Sequence, residues 1–227
     1  MKTIFWNVDT QYDFMRDDES FKGALAIPKA RTIEKNLESL TSFAKDLNIK
    51  VINTADWHNE SSEEFSQAPD YKTTFPPHCL MNTKGAEFIP TTNPEDPYII
   101  DWQQPSFDEK EVLKRRNIVL YKDAFDIFKG STHTKKILDI LKPKRVVVYG
   151  VATNVCVNFA VEGLLKEGVK VYVPTNAIKE IPGLPLEELL SSWKKNGANL
   201  MHTSDVFEII LKDLAFKYKV NFYLYNG

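Results

Sequence analysis

With 227 residues the chain is long enough for one large core, and nothing in its composition marks a second one, so a single domain over 1–227 is expected. Its 29 Lys and Arg nearly cancel its 31 Asp and Glu, which argues against nucleic-acid and anionic-membrane binding and leaves a small molecule as the expected partner. Two cysteines cannot form a disulfide framework in a chain of this length, the apolar runs are too short to cross a bilayer, and no signal-like start is present; a cytoplasmic protein is expected, with each cysteine either packing or chemistry.

Residues 3–8 form a short apolar, β-branched run, 33–47 carry a helical period and 50–54 are apolar again, which predicts a βαβ opening. From 59 to 117 prolines, aromatics and charges follow one another without period. This stretch reads as loops with one short helix over 107–115, and loops that long in a compact domain are usually functional. Beyond it the pattern predicts strands over 118–121, 145–150, 169–174 and, weakly, 199–202, alternating with helices over 135–141, 154–167, 186–196 and 205–214. The fold expected is therefore α/β: an open, doubly wound, Rossmann-like sheet of six mostly parallel strands with helices on both faces. The tail over 217–225 alternates Val, Phe and Leu with other residues, which predicts an extra edge strand or a contact with another subunit.

An open parallel sheet binds ligands beyond the carboxyl ends of its strands. Reactive residues stand at those positions here: Asp9 after the first run, Asp56 and His58 after the second, Lys122 after 118–121, and Cys156 after 145–150 at the start of a helix. Around Cys156, Gly150 and the small Ala152 allow a tight strand-to-helix turn, and free N–H groups at the helix start would favour thiolate and could hold an oxyanion. The bland alternative is a small hydrophobe on an apolar helix face. A carboxylate isolated at the end of an apolar strand has its pKa raised toward neutrality, so Asp9 is a candidate base for that thiol; Asp9 or Asp13 could equally cap the turn that follows. Lys122 could keep Asp9 ionised and offset charge developing on a substrate, although a lone lysine is ordinarily solvated.

Asp56 and His58 lie two residues apart on an extended segment, so their side chains share one side, and His78 follows about twenty residues later. One carboxylate and two imidazoles suit zinc with positions left for water or substrate, and iron and manganese accept the same set; buried, hydrogen-bonded histidines are the alternative. Glu64 is a possible fourth ligand, or a solvated carboxylate in its run of acids. Cys79 reads as structural, and His133 and His202 as core or surface residues without partners in the pattern.

Together these segments resemble the nicotinamidase branch of the isochorismatase-like cysteine hydrolases, over nearly the whole chain. The resemblance rests on Asp9-Thr10-Gln11-Tyr12-Asp13-Phe14 with Gly23-Ala24-Leu25-Ala26-Ile27-Pro28, on Asp56-Trp57-His58 with Pro76-Pro77-His78-Cys79 and Gly85-Ala86-Glu87-Phe88, and on Lys122-Asp123-Ala124-Phe125 and 150–157. It implies a triad of Asp9, Lys122 and Cys156, one divalent metal on Asp56, His58 and His78, no organic cofactor, a cis peptide between Val151 and Ala152, and an oxyanion hole from the N–H groups of Ala152 and Cys156. It also implies Phe14 and Phe75 as aromatic walls of a pocket in which the metal meets a pyridine nitrogen. The chain departs from the family pattern around 61–64, where a second histidine is often found, at Asn154, where many nicotinamidases carry aspartate, and at Phe75, where several carry tryptophan; residues 90–117 match nothing in it. The activity implied is hydrolysis of nicotinamide to nicotinate and ammonia through a cysteine thioester, in NAD salvage, by a homo-oligomer. The alternatives are the same chemistry on another small amide or carbamoyl compound, an isochorismatase-type vinyl-ether hydrolase, and a non-catalytic binding protein of this fold.

Overall fold

The computed structural model describes the backbone of residues 2–183 and 185–225, with side chains described as far as 216. The chain opens with β1 (Thr3–Val8), α1 (Tyr12–Met15), α2 (Glu34–Asp46) and β2 (Val51–Asp56). After a long loop stretch come β3 (Tyr98–Ile100), α3 (Glu109–Lys114), β4 (Asn117–Lys122), α4 (Ile127–Gly130), α5 (Thr134–Leu141) and β5 (Arg145–Val151). The chain continues with α6 (Cys156–Lys166), β6 (Lys170–Pro174), β7 (Ile178–Lys179), α7 (Leu186–Lys195), β8 (Asn199–Met201) and α8 (Thr203–Tyr225).

The sheet has eight strands rather than the six expected, in the order β3-β4-β2-β1-β5-β6-β8, with β7 paired beside β5. The two additional strands have three and two residues. Neither is long enough to show a period, and β3 lies in the stretch read as loops. Every ladder is parallel. Parallel strands covered on both faces lose their polar alternation, which is why β2 and β5 are buried at every position.

Right-handed crossovers fix where the helices go. The connection from β1 to β2 steps one way along the sheet and the connections from β5 to β6 and β6 to β8 step the other, so α2 covers one face while α6 and α7 cover the opposite one. Packing agrees: α2 meets α8, and α6 meets α4 and α7. The reversal lies between the neighbouring strands β1 and β5, and a crevice opens at such a switch point beyond the strand ends.

The helix expected over 107–115 forms as α3, started by Asp108, whose side chain accepts the Lys110 N–H at 2.8 Å. The tail over 217–225 is not an edge strand: α8 runs through it. No Gly or Pro interrupts 203–225, and lengthening a formed helix by a residue costs far less than nucleating a new element. No helix among the described residues is long and apolar enough to cross a membrane.

Candidate active site

Four neighbouring parallel strands, β4, β2, β1 and β5, deliver the reactive residues to one rim. Asp56 and Lys122 end β2 and β4 in matched register, Asp9 follows β1, and Cys156 begins α6 after β5. Gly150 lets β5 come close enough to β1: its φ is +118°, and a Cβ there would lie 2.1 Å from the Val8 carbonyl oxygen. Asp9 itself sits at φ 48°, in the left-handed region.

The Lys122 ammonium lies 3.0 Å from Asp9 Oδ2 and 3.7 Å from Cys156 Sγ, and is hydrogen-bonded to Asp56 Oδ1. Asp9, Asp56 and Cys156 place their reactive atoms within 4.8 Å of one another, all buried. Thr54 Oγ1 donates to Asp9 Oδ1 at 2.6 Å and fixes the carboxylate's orientation. Lys122 is therefore not solvated surface but the fully buried centre of an ionic cluster.

Burial pushes the Asp9 carboxyl up, Lys122 pulls it down and Asp56 pushes it up again, leaving it above the ordinary carboxylate range. Burial acts on Asp56 in the same direction, but Lys122 and the neighbouring His58 and His78 imidazoles outweigh it and hold Asp56 well below that range. Lys122 would lose its proton through burial alone; Asp56, Asp9, Cys156 and Glu64 hold it on, well above the ordinary lysine range. Cys156 differs from expectation. Burial, reinforced by Asp9 and Asp56 and only partly opposed by Lys122, pushes the thiol well above its usual range. The start of α6 does not make a resting thiolate, because burial of the sulfur, with Asp9 and Asp56 adding to it, outweighs the Lys122 ammonium. An Asp9 with raised pKa next to a neutral thiol is a pair between which one proton can move.

Neither the Ala152 nor the Cys156 N–H donates to a backbone carbonyl among the described residues, although their neighbours Thr153, Val155 and Val157 do. The Val151–Ala152 peptide is cis. Both amides thus lack a backbone acceptor among the described residues, beside the start of α6.

Asp56, His58 and His78 form a second cluster beside the first. Asp56 Oδ2 lies 3.8 Å from His58 Nε2 and 3.6 Å from His78 Nε2. Ligands on a tetrahedral zinc stand about 3.4 Å apart, so little movement would bring the three onto one ion. Each imidazole is turned for it: His58 Nδ1 is hydrogen-bonded to Asp123 at 2.6 Å and His78 Nδ1 to the Pro76 carbonyl at 2.8 Å, which leaves both Nε2 atoms facing Asp56. His58 Nε2 is buried without a hydrogen-bond partner. Burial lowers the proton affinity of His58, but Asp123 and Asp56 raise it, to a pKa of about 9.

Glu64 is buried, not solvated: its Oε2 is 3.7 Å from His58 Nε2 and its other oxygen accepts the Phe125 N–H. Cys79 is buried away from the histidines' free nitrogens, its thiol against the Gly85 carbonyl at 3.8 Å. His133 is buried and hydrogen-bonded to the Gln104 carbonyl, and His202 is exposed. Because Asp123 orients His58, Asp123→Ala is expected to weaken divalent-metal binding by roughly 10–100-fold with little change in secondary structure, read by competition with a chromogenic chelator.

Asp56 and His78 of the one cluster and Cys156 of the other border a small cavity of about 20 Å³. Phe14 and Phe75 form part of its wall, and the structure adds Leu25, Ile27, Phe125 and Ile181. Sequence reasoning also passed over two anchoring residues. Gln11 clamps Asp56 from both sides, donating to its carbonyl at 2.7 Å and accepting its N–H at 2.8 Å. Asp13 accepts the N–H groups of Ala24 and Cys79 at 2.9 and 2.7 Å, joining the Leu25 and His78 loops, with Gly85 packed so tightly against it that a Cβ would lie 2.1 Å from its carboxylate.

The isochorismatase domain pattern matches residues 100–205, which include Lys122 and Cys156. The nicotinamidase/pyrazinamidase of Mycobacterium tuberculosis is 27% identical over 166 residues, 71% of this chain and 78% of that protein. The crystal structure of the Pyrococcus horikoshii pyrazinamidase in complex with zinc superposes with a TM-score of 0.69 at 27% identity, covering 89% of this chain and 99% of that one. This chain is similar to the nicotinamidase/isochorismatase-like hydrolases. That similarity supports a hydrolase of amide C–N bonds. The fold extends to other substrates: N-carbamoylsarcosine amidase of Thermoplasma acidophilum superposes with a TM-score of 0.68 over 89% of this chain and 97% of that one, at 18% identity.

Proposed function

We propose that this protein is a metal-dependent cysteine amidohydrolase that converts nicotinamide to nicotinate and ammonia, with Cys156 as nucleophile, Asp9 as base and acid, and Lys122 as the charge that organises them. The observation that carries the reading is the meeting of Asp9 and Lys122 with Cys156, which lines an apolar, aromatic-walled cavity together with Asp56 and His78. Apolar walls with a few polar anchors suit a small aromatic amide.

In the first step Asp9 takes the Cys156 proton as the sulfur bonds to the carboxamide carbon, and the carbonyl oxygen becomes an oxyanion facing the Ala152 and Cys156 N–H groups. Lys122 stays charged and offsets the negative charge that passes from carboxylate to sulfur to oxygen. Collapse of this tetrahedral species breaks the C–N bond, and Asp9 returns its proton to the departing nitrogen, releasing ammonia and leaving a thioester. Asp9, ionised again, then draws a proton from water attacking that thioester; the C–S bond breaks and Cys156 recovers its thiol. A divalent metal on Asp56, His58 and His78, with Glu64 as the nearest further carboxylate, would supply an electrophilic anchor for the pyridine nitrogen. Nicotinate is a precursor for rebuilding pyridine nucleotides, which places the reaction in NAD salvage.

Stripping the metal with a chelator is expected to abolish nicotinamide hydrolysis, and adding zinc, iron or manganese to restore it. The assay is ammonia release from nicotinamide, pyrazinamide and N-carbamoylsarcosine, with metal analysis of the same sample. Undiminished nicotinamide turnover in metal-free protein would remove the ring anchor from this reading. A preference for the carbamoyl compound would move the substrate to the other class that this fold serves.

A further inference from the structure

The strand pairing next to the nucleophile outlasts the sheet. β7 lies parallel to β5 with Gly150 opposite Ile178 and Val151 opposite Lys179, and the Thr153 N–H donates to the Lys179 carbonyl at 2.8 Å. Beyond Thr153 the main chain turns into α6, and the Asn154 side chain takes over the pairing. Its Nδ2 donates to the Ile181 carbonyl at 2.8 Å and its Oδ1 accepts the Ile181 N–H at 3.0 Å. A primary amide carries the donor and acceptor of a peptide group, so it can stand in for the next rung.

Ile181 has no other backbone hydrogen bond among the described residues outside this pair. The chain that follows is exposed at Pro182, Gly183 and Pro185, with Gly183 at φ +87°. Yet the Ile181 side chain lines the cavity together with Ala152, Val155 and Cys156. A wall of the site is thus carried by a surface segment that packs Ile181 on the core and whose backbone is paired at Ile181 by the Asn154 side chain.

We propose that Asn154 is a positioning residue: it fixes Ile181 as the size-limiting wall of the cavity and so restricts the site to small, unsubstituted ring amides. The substrate half of this inference rests on the function proposed above; the clamp does not. Only a side chain with both a donor and an acceptor can serve. An aspartate at 154 could still accept the Ile181 N–H but would set a carboxylate oxygen against the Ile181 carbonyl. Once freed, a segment with few buried contacts would open readily.

The test uses full-length protein and the variants Asn154→Ala, Asn154→Asp and Ile181→Ala. Amide hydrogen exchange needs no substrate. In the wild type the Ile181 amide should exchange more slowly than the neighbouring Gly183 amide, and Asn154→Ala should remove that protection. Alkylation of Cys156 by iodoacetamide and by the bulkier N-benzyl iodoacetamide measures the opening itself. The rate ratio of bulky to small reagent should rise roughly tenfold in both Asn154 variants and in Ile181→Ala, the scale expected when one or two hydrogen bonds holding a wall are lost. In Asn154→Ala/Ile181→Ala it should rise no further than in Ile181→Ala alone. With amides, KM for nicotinamide should rise more than kcat falls, and 5-methylnicotinamide should gain relative to nicotinamide. An unprotected Ile181 amide in the wild type, or an unchanged reagent ratio in the variants, overturns the inference. Wild-type protein that releases no ammonia from nicotinamide, while exchange and alkylation respond as described, overturns the functional reading and leaves the clamp standing.

Discussion

Cys156→Ala is expected to lower ammonia release from nicotinamide by on the order of 10⁴-fold or more, the scale seen when a nucleophile acting as part of a unit is removed. The folded state should survive. The change deletes one sulfur from a cavity wall, leaves the ion pairs of Lys122 with Asp9 and Asp56 in place, and removes no charge in the resting state, where the thiol is neutral. A stability loss of about 1 kcal/mol is the ordinary result for such a truncation. Metal content should also be unchanged, since His58, His78 and Asp56 keep their hydrogen-bond partners. Ammonia release, thermal melting and metal analysis on one preparation separate these expectations. A variant that retains turnover within tenfold of wild type would show that the sulfur is not the attacking atom. A variant that loses activity together with its fold or its metal would assign Cys156 a structural role.

The sequence made the rim of the site legible because a parallel sheet converts one-dimensional position into place. Once the runs at 3–8, 50–54, 118–121 and 145–150 are read as parallel strands, Asp9, Asp56, Lys122 and Cys156 must gather at one edge, whatever the loops do. The period of two likewise put Asp56 and His58 on one side. What it could not show was anything decided by more than one segment. Gln11 and Asp13 are ordinary polar residues until Asp56, Ala24 and Cys79 arrive beside them. Glu64 reads as one acid among several because its burial against His58 and Phe125 is made by loops without a period. Strands of two and three residues carry no alternation to detect, and the alternating tail over 217–225 misled because it continues a helix already formed. The helix start before Cys156 is visible in the sequence, whereas the burial of its thiol and the two carboxylates beside it, which push the thiol up, are properties of the fold.

Lys122→Met puts the largest stress on those two carboxylates. Methionine nearly conserves the volume and flexibility of the buried chain, so the main effect is electrostatic. Asp9 and Asp56 would remain buried and within 4.8 Å of each other, without the ammonium that lies between them. Breaking a buried ion pair from one side typically costs about 3–5 kcal/mol, and here one lysine serves two carboxylates. The cost should depend on pH with a definite sign. In the wild type the Asp56 carboxyl is held below its unfolded value, so its contribution to stability is present above that value and is lost on acidification. Without Lys122 both folded carboxyls rise. A group whose folded pKa lies above its unfolded one favours the native state at low pH, and that advantage is lost as pH rises through the folded value. The stability gap between wild type and variant should therefore be widest near neutrality and narrow toward mildly acid solution, with Asp9 protonating first because it already stands above the ordinary range. Urea unfolding with chelator present, at neutral and mildly acid pH, measures the gap. Removing one of the two negative charges with Asp9→Asn should recover part of the loss, so Asp9→Asn/Lys122→Met should be more stable than Lys122→Met alone. A divalent ion on Asp56 should also recover part of it, by about 2.7 kcal/mol at a hundred times its dissociation constant. Equal stability of wild type and Lys122→Met near neutrality, without metal, would mean that the carboxylates do not need this ammonium. The proton balance assigned to Cys156 and Asp9 would then lack its physical basis.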